Sequence, residues 1–177
     1  MSQAARTVLG IDPGVSETGW AVLSSADGSP VRLLASGLIK TFPVTPLPER
    51  LRAIHEELAK LLQEHRPDEV AIEEMFFLKA ARTIQGTLHA RGVILLAAAQ
   101  AGRPISHYNP RTVKLTLTGS GDAAKPQMQK MLQKALGLAD ILRPDDVADA
   151  AAIALCHLRS NRFKRFTVLE KIGGARR

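Results

Sequence analysis

The stretch Val8–Leu23, VLGIDPGVSETGWAVL, decides how this chain is read. An unbroken apolar run stops at Asp12, the backbone breaks at Pro13-Gly14, and a second apolar run starts after a polar turn. Working outward, β-type runs cover Thr7–Asp12, Gly19–Ser24 and Arg32–Lys40, separated by the turn signals PGVSET and SADGSP, which predicts a three-stranded antiparallel meander. In LPERLRAIHEELAKLLQEHRP, Leu47, Leu51, Ile54, Leu58, Leu61 and Leu62 recur at helical spacing with charges opposite, and Pro67 stops the run. Val70, Ala71 and Ile72 then form a short continuous apolar strand, of the kind buried on both faces of a parallel pairing, that ends at Glu73. A helical segment over residues 80–101, a strand at Ile105–Tyr108, a segment from Arg111, a helix over Gln127–Leu136 and a last helix from about Asp145 to Leu158 follow. This order predicts an α/β fold: a mixed five-stranded sheet, meander first and parallel strands after it, flanked by helices.

The chain has 177 residues, the size of one domain, enough to bury roughly 70% of the surface its unfolded form exposes. No apolar run approaches the ~18 residues of a membrane span, and MSQAARTVLG has no basic-then-apolar leader, so the expected location is cytoplasmic. Cys156 is alone, which excludes an internal disulfide and argues against a zinc site; it reads as a small buried apolar residue. The net charge of +7 is a footprint of nucleic-acid binding, although solubility alone also accounts for such an excess.

In sheets of this kind, sites gather beyond the carboxyl ends of the parallel strands. Asp12 closes the first strand and Glu73 the fourth; as parallel neighbours their backbones would lie about 4.8 Å apart. Carboxylates so close repel one another unless a cation neutralises them. In RPDDVADAAAIALCHL, Asp146 and Asp149 share one helix face among Ala, Ile and Leu. Oxygen ligands without His or Cys suit Mg2+ or Mn2+. Each acid also has a plain structural reading. Asp-Pro-Gly is a common turn, Glu73 could be a solvated strand end, and Asp145 or Asp146 could cap the helix. Asp149, beyond the capping turn of an alanine-rich helix, is the hardest to explain that way.

GIDPGVSETGWAV, AIEEMF, ARGV, VK followed by AAKPQM, and DVADAAAIALCH resemble, in order and spacing, the RuvC family of bacterial Holliday-junction resolvases, over nearly the whole chain to about Ser160. The resemblance implies a ribonuclease H-like fold, with residues 1–160 as a single nuclease domain and 161–177 as a basic tail whose last residues are expected to be mobile. It implies a homodimer that cuts four-way junction DNA in homologous recombination and DNA repair, with the RuvA and RuvB branch-migration proteins as partners. The family's acidic tetrad, catalytic and metal-binding, falls on Asp12, Glu73, Asp146 and Asp149, which leaves Asp145 as the helix cap. Some members carry histidine where this chain has Asp146. Glu74 stands where an uncharged amide is common, and the run VAI ending at Glu73 favours Glu73 as the tetrad member.

On the DNA side, Phe76 follows Glu73 at the distance of the family's aromatic wedge and would stack on a base at the crossover; packing into the core is the alternative for either phenylalanine, and the one expected for Phe77. Lys114 and Lys125 match basic positions near the scissile phosphate, and Arg111, Lys130 and Lys134 extend the track. The expected chemistry is in-line hydrolysis assisted by two Mg2+ or Mn2+ ions per subunit, leaving 5′-phosphate and 3′-hydroxyl ends. The helix around Val93–Ala99 is apolar on nearly every face, as expected if the sheet covers one side and a second subunit the other; burial within one large core is the alternative. Two rival functions compete. GIDPG also resembles the phosphate-binding start of actin-like ATPases and sugar kinases, but those need two such lobes and an adenosine site, for which 177 residues leave no room. An inert DNA-binding module fits the charge and leaves the four acids unexplained.

Overall fold

The computed structural model describes residues 5–26, 29–74 and 82–173, the side chains of 82–84 and 161–173 excepted. Strands β1 (Arg6–Asp12), β2 (Glu17–Ser25) and β3 (Arg32–Lys40) are followed by α1 (Leu47–His65), β4 (Glu69–Glu73), α2 (Arg82–Gln100), β5 (Ile105–Tyr108), α3 (Pro110–Thr118), α4 (Lys125–Leu136) and α5 (Asp145–Gly173). Among the described residues, five strands form one sheet in the order β3-β2-β1-β4-β5. The meander β1-β2-β3 is antiparallel, whereas β1 pairs with β4 and β4 with β5 in parallel. The ends of β1 and β4, where Asp12 and Glu73 stand, are therefore neighbours at one edge.

Strand periodicity divides the core. Leu9, Ile11, Val70 and Ile72 face α1 and α2, packing on Ile54, Leu58, Ala90 and Ile94. Val8 and Ala71 face the other way, onto Val113 of α3, Leu132 of α4 and the apolar face of α5. Asp12 lies four residues after Val8, and Glu73 two after Ala71, so both carboxylates share the α5 face of the sheet. Fully buried side chains such as Leu9, Ile11 and Ile72 each contribute roughly 1.5–3 kcal/mol.

Helix α5 sits unusually low on this face. A Cβ at Gly10 would lie 2.1 Å from the carbonyl oxygen of Ala150, and one at Gly19 would lie 2.0 Å from that of Asp146. Only glycine admits so close a helix backbone. The buried Ala148, Ala150, Ala151, Ala152 and Ala154 supply the matching small surface, which accounts for the alanine run of the sequence.

Two elements differ from the sequence reading. The segment from Arg111 is helix α3, started by Pro110 and capped by Asn109, whose side chain accepts from the Arg111 amide at 2.8 Å. Helix α5 does not stop near Leu158 but runs to Gly173, because residues 159–172 contain neither proline nor glycine to end it. The last four residues of the basic tail lie outside the described residues.

Candidate active site

The turn after Asp12 is tied down by its neighbours. The Thr18 hydroxyl donates to the Gly14 carbonyl at 2.6 Å, and that of Thr41 donates to the Val15 carbonyl. Arg50 of α1 donates to the hydroxyls of Thr41 and Ser16, each at 2.8 Å. On the other side, the Arg91 guanidinium of α2 donates to the main-chain carbonyl of Glu73 and lies 2.7 Å from Nδ1 of His107. Asp12 and Glu73 thus project from anchored backbone.

Four acids from three elements meet at this edge: Asp12 of β1, Glu73 of β4, and Asp146 and Asp149 of α5. Burial, then the charges of Glu73, Asp149 and Asp146, push the Asp12 carboxyl up to about 8. Glu73 is likewise raised, first by burial and then by Asp149, against an opposing hydrogen bond with Asp12. Burial also raises Asp149, with Lys125 opposing. The Lys125 ammonium, on the first residue of α4, lies 3.2 Å from a carboxylate oxygen of Asp149 and 3.2 Å from one of Asp145. Burial would lower it, but the bonds and charges of those two acids hold it above the usual lysine range.

The arrangement is short of positive charge. Lys125 is the lysine whose charge opposes the upward shifts of Asp12, Glu73 and Asp149. Among the described residues no three His, Cys, Asp or Glu side chains are grouped tightly enough to grip an ion as they stand. The donor set nevertheless fits a hard divalent cation: carboxylate oxygens only, on an anchored edge, where burial and mutual repulsion raise Asp12 and Glu73 and leave room for a counter-charge.

Asp145, expected as a helix cap, turns its carboxylate elsewhere. It accepts from Gln129 and Arg143, each at 2.9 Å, and pairs with Lys125, while the Val147 and Ala148 amides of the first turn go to the Pro144 carbonyl. Lys114 is half-buried on α3 and forms no salt bridge among the described residues. Arg111 makes a long, exposed contact with Asp122 at 3.5 Å, and Lys130 is exposed. Phe76 and Phe77 lie outside the described residues. Cys156 is fully buried, as expected, with its thiol 3.4 Å from the Thr116 hydroxyl.

Sequence reasoning missed Arg91, which it met only inside ARGV as part of a resemblance. It also missed a buried chain further along α5, between that helix and the sheet. His157, 1% exposed, lies 2.6 Å from Glu69 through Nε2 and 2.9 Å from the Tyr108 hydroxyl through Nδ1, and Arg6 pairs with Glu69. The one signal was a histidine on the apolar face of an alanine-rich helix.

A family model described as crossover junction endodeoxyribonuclease RuvC matches residues 8–157. A crossover junction endodeoxyribonuclease RuvC of Syntrophomonas wolfei is 46% identical over 159 residues, spanning 90% of this chain and 92% of the relative. That of Chloroflexus aggregans is 47% identical over 149 residues, 84% and 90% of the two chains. The solved structure of T. thermophilus RuvC in complex with Holliday junction substrate matches with a TM-score of 0.85 at 38% identity, over 90% of this chain and 96% of that one. The yeast mitochondrial Holliday junction resolvase Ydc2 matches at 0.60 and 16% identity, over 84% and 77%, a likeness of fold alone. With a ribonuclease H-like sheet, the acids at its edge and sequence identity along nearly its whole length, the chain belongs to the RuvC family of crossover junction endodeoxyribonucleases, which are metal-dependent nucleases.

Proposed function

We infer that the protein is a structure-specific endonuclease that resolves four-way DNA junctions by paired, symmetric nicks, in homologous recombination and DNA repair. The observation that carries this reading is the under-neutralised set Asp12, Glu73, Asp146 and Asp149 at one sheet edge, with Asp12 raised to about 8. These four residues would hold Mg2+ or Mn2+, two ions per subunit. Divalent ions bound there supply the charge that activates water and stabilises the leaving oxygen of an in-line displacement.

The chain's own residues do the rest. Asp12, whose carboxyl feels the other three acids, would be a central ligand of the set. Glu73 and Asp149, which stand at the same edge as Asp12, would complete the ligand set and orient the attacking water, whose proton passes to solvent. The water oxygen forms the new bond to phosphorus, the bond to the 3′ oxygen breaks, and that oxygen takes a proton from solvent. The products are a 5′-phosphate and a 3′-hydroxyl. Lys125 and Lys114 meet backbone phosphates, and Phe76 stacks against a base at the crossover.

Two cuts call for two sites. Opposite the buried Ala90, Ile94, Ala97 and Ala98, α2 exposes Leu88 at 37% and Leu96 at 52%, with Gly92 between them facing open space. That apolar stripe supports a homodimer in which the α2 helices meet. RuvA and RuvB are the expected partners, and the cytoplasm the site of action; among the described residues no helix is long and apolar enough to cross a membrane.

The test is cleavage of a synthetic four-way junction in Mg2+ or Mn2+ beside linear duplex of the same sequence. Symmetric nicks confined to the junction and abolished by EDTA are expected. ATP hydrolysis without nicking would overturn the reading.

A further inference from the structure

Lys125 and Asp145 are joined by an ion pair across two helix starts. They start two helices, α4 and α5, and the Lys125 ammonium is shared evenly, 3.2 Å from Asp145 and 3.2 Å from Asp149. The two acids are four residues apart on α5, so they face the same way. Their situations are nevertheless unequal. Asp145 is anchored at its other oxygen by Gln129 and Arg143, each at 2.9 Å, and Gln129 is itself buried one turn beyond Lys125 on α4. Asp149 has Lys125 as its ion-pair partner among the described residues. The ammonium therefore has one partner held by two further donors, and one for which it is the ion-pair partner.

We propose that Lys125 is a built-in counter-cation that occupies Asp149 until a divalent ion takes its place, and that Asp145 is the positioning residue that keeps the released ammonium beside the acids, free to meet a phosphate. The proposal rests on reading Asp12, Glu73, Asp146 and Asp149 as the metal site. An ammonium and a divalent ion cannot both neutralise one exposed edge of Asp149, so they compete. A phosphate that draws Lys125 away removes the competitor, which couples DNA binding to metal binding in the favourable sense. Without Asp145, Lys125 has only Asp149 to rest on, and the competition sharpens.

The test is Mn2+ binding to the full chain without DNA, read from the paramagnetic resonance of the free ion, in wild type, Lys125→Met, Asp145→Asn and the double variant, with circular dichroism to confirm folding. Lys125→Met should bind Mn2+ about tenfold more tightly. Asp145→Asn should bind a few-fold more weakly, and that loss should shrink sharply in the Lys125→Met background, because Asp145 acts through the ammonium. Unchanged Mn2+ affinity in Lys125→Met, and in Lys125→Gln as a second neutral replacement, would overturn the counter-cation. A loss of equal size from Asp145→Asn in both backgrounds would show Asp145 acting by its own charge and would remove its positioning role. Asp12→Asn separates this proposal from the reading beneath it: wild-type Mn2+ affinity in that variant would discard the metal site itself, whereas lost binding there beside unchanged Lys125→Met would discard only the competition.

Discussion

Glu69 and Glu73 are the first and last residues of β4, four positions apart on the same face of the same strand and both under α5, yet they live in opposite electrostatic worlds. Glu69 is paired with Arg6 and with the buried ring of His157, whose other nitrogen meets the Tyr108 hydroxyl. A neutral imidazole with its proton on Nε2 satisfies that chain throughout: it donates to Glu69 and accepts from Tyr108, whose phenol, pushed up to about 12 mainly by burial, stays a donor. Glu73 instead faces Asp12 and Asp149 and is raised. The contrast shows the same fold neutralising one carboxylate with its own groups, where a helix must be fixed, and leaving another short of charge, at the edge where the proposed metal ion would be received. Along α5 the two regimes are separated only by the eight residues from Asp149 to His157, about 12 Å of helix.

Exchanging acids for amides at the two ends should break or sharpen this contrast. The largest effect is expected from Glu73→Gln, with a loss of roughly 1,000-fold or more in single-turnover junction cleavage and nearly unchanged binding in EDTA. Glu69→Gln, compared at a temperature where it is folded, should cut within a few-fold of wild type. Equal loss from both would erase the distinction. Stability should show the reverse ranking. His157→Ala leaves Glu69 with a lost partner and a buried gap, costing about 3 kcal/mol, or a fall of roughly 6–12 °C in Tm by calorimetry, while Glu73→Gln should raise Tm in metal-free buffer.

The last effect is the pH dependence of the acid end. Asp12 is raised from 3.8 to about 8, so between those values the native state holds a proton that the unfolded chain has lost. Stability in EDTA should therefore fall as pH rises from about 4 to about 8 and level off above, and Asp12→Asn should flatten that slope. Thermal melts across this range would decide it, and an Asp12→Asn variant with the wild-type slope would assign the effect elsewhere.

The parts legible in the sequence are those written in local periods. The strand alternation, the helix spacings and the acids that close β1 and β4 could be read directly, and the parallel pairing of β1 with β4 follows from the element order. What was not legible depends on partners far apart in the chain: Glu69 finds His157 across 88 residues, and Arg91 reaches back 18 to the Glu73 carbonyl. No spacing rule announces either. The Asp145 cap was misread for a similar reason, since a local rule assigned it to its own helix and the donors that claim it include Lys125 and Gln129 of α4. The length of α5 escaped because the apolar pattern ends before the helix does.

The contact of α5 with the sheet at Gly10 and Gly19 has a consequence for the spacing of the acids. Here the separation between the acid of β1 and those of α5 is gauged by main chain resting on main chain, with no side chain between them at Gly10 or Gly19 to serve as a compressible spacer. Rotamer changes cannot adjust such a gauge, and a single methyl group at either glycine would wedge it open. The spacing of the four acids is thereby written into two positions that carry no carboxylate at all.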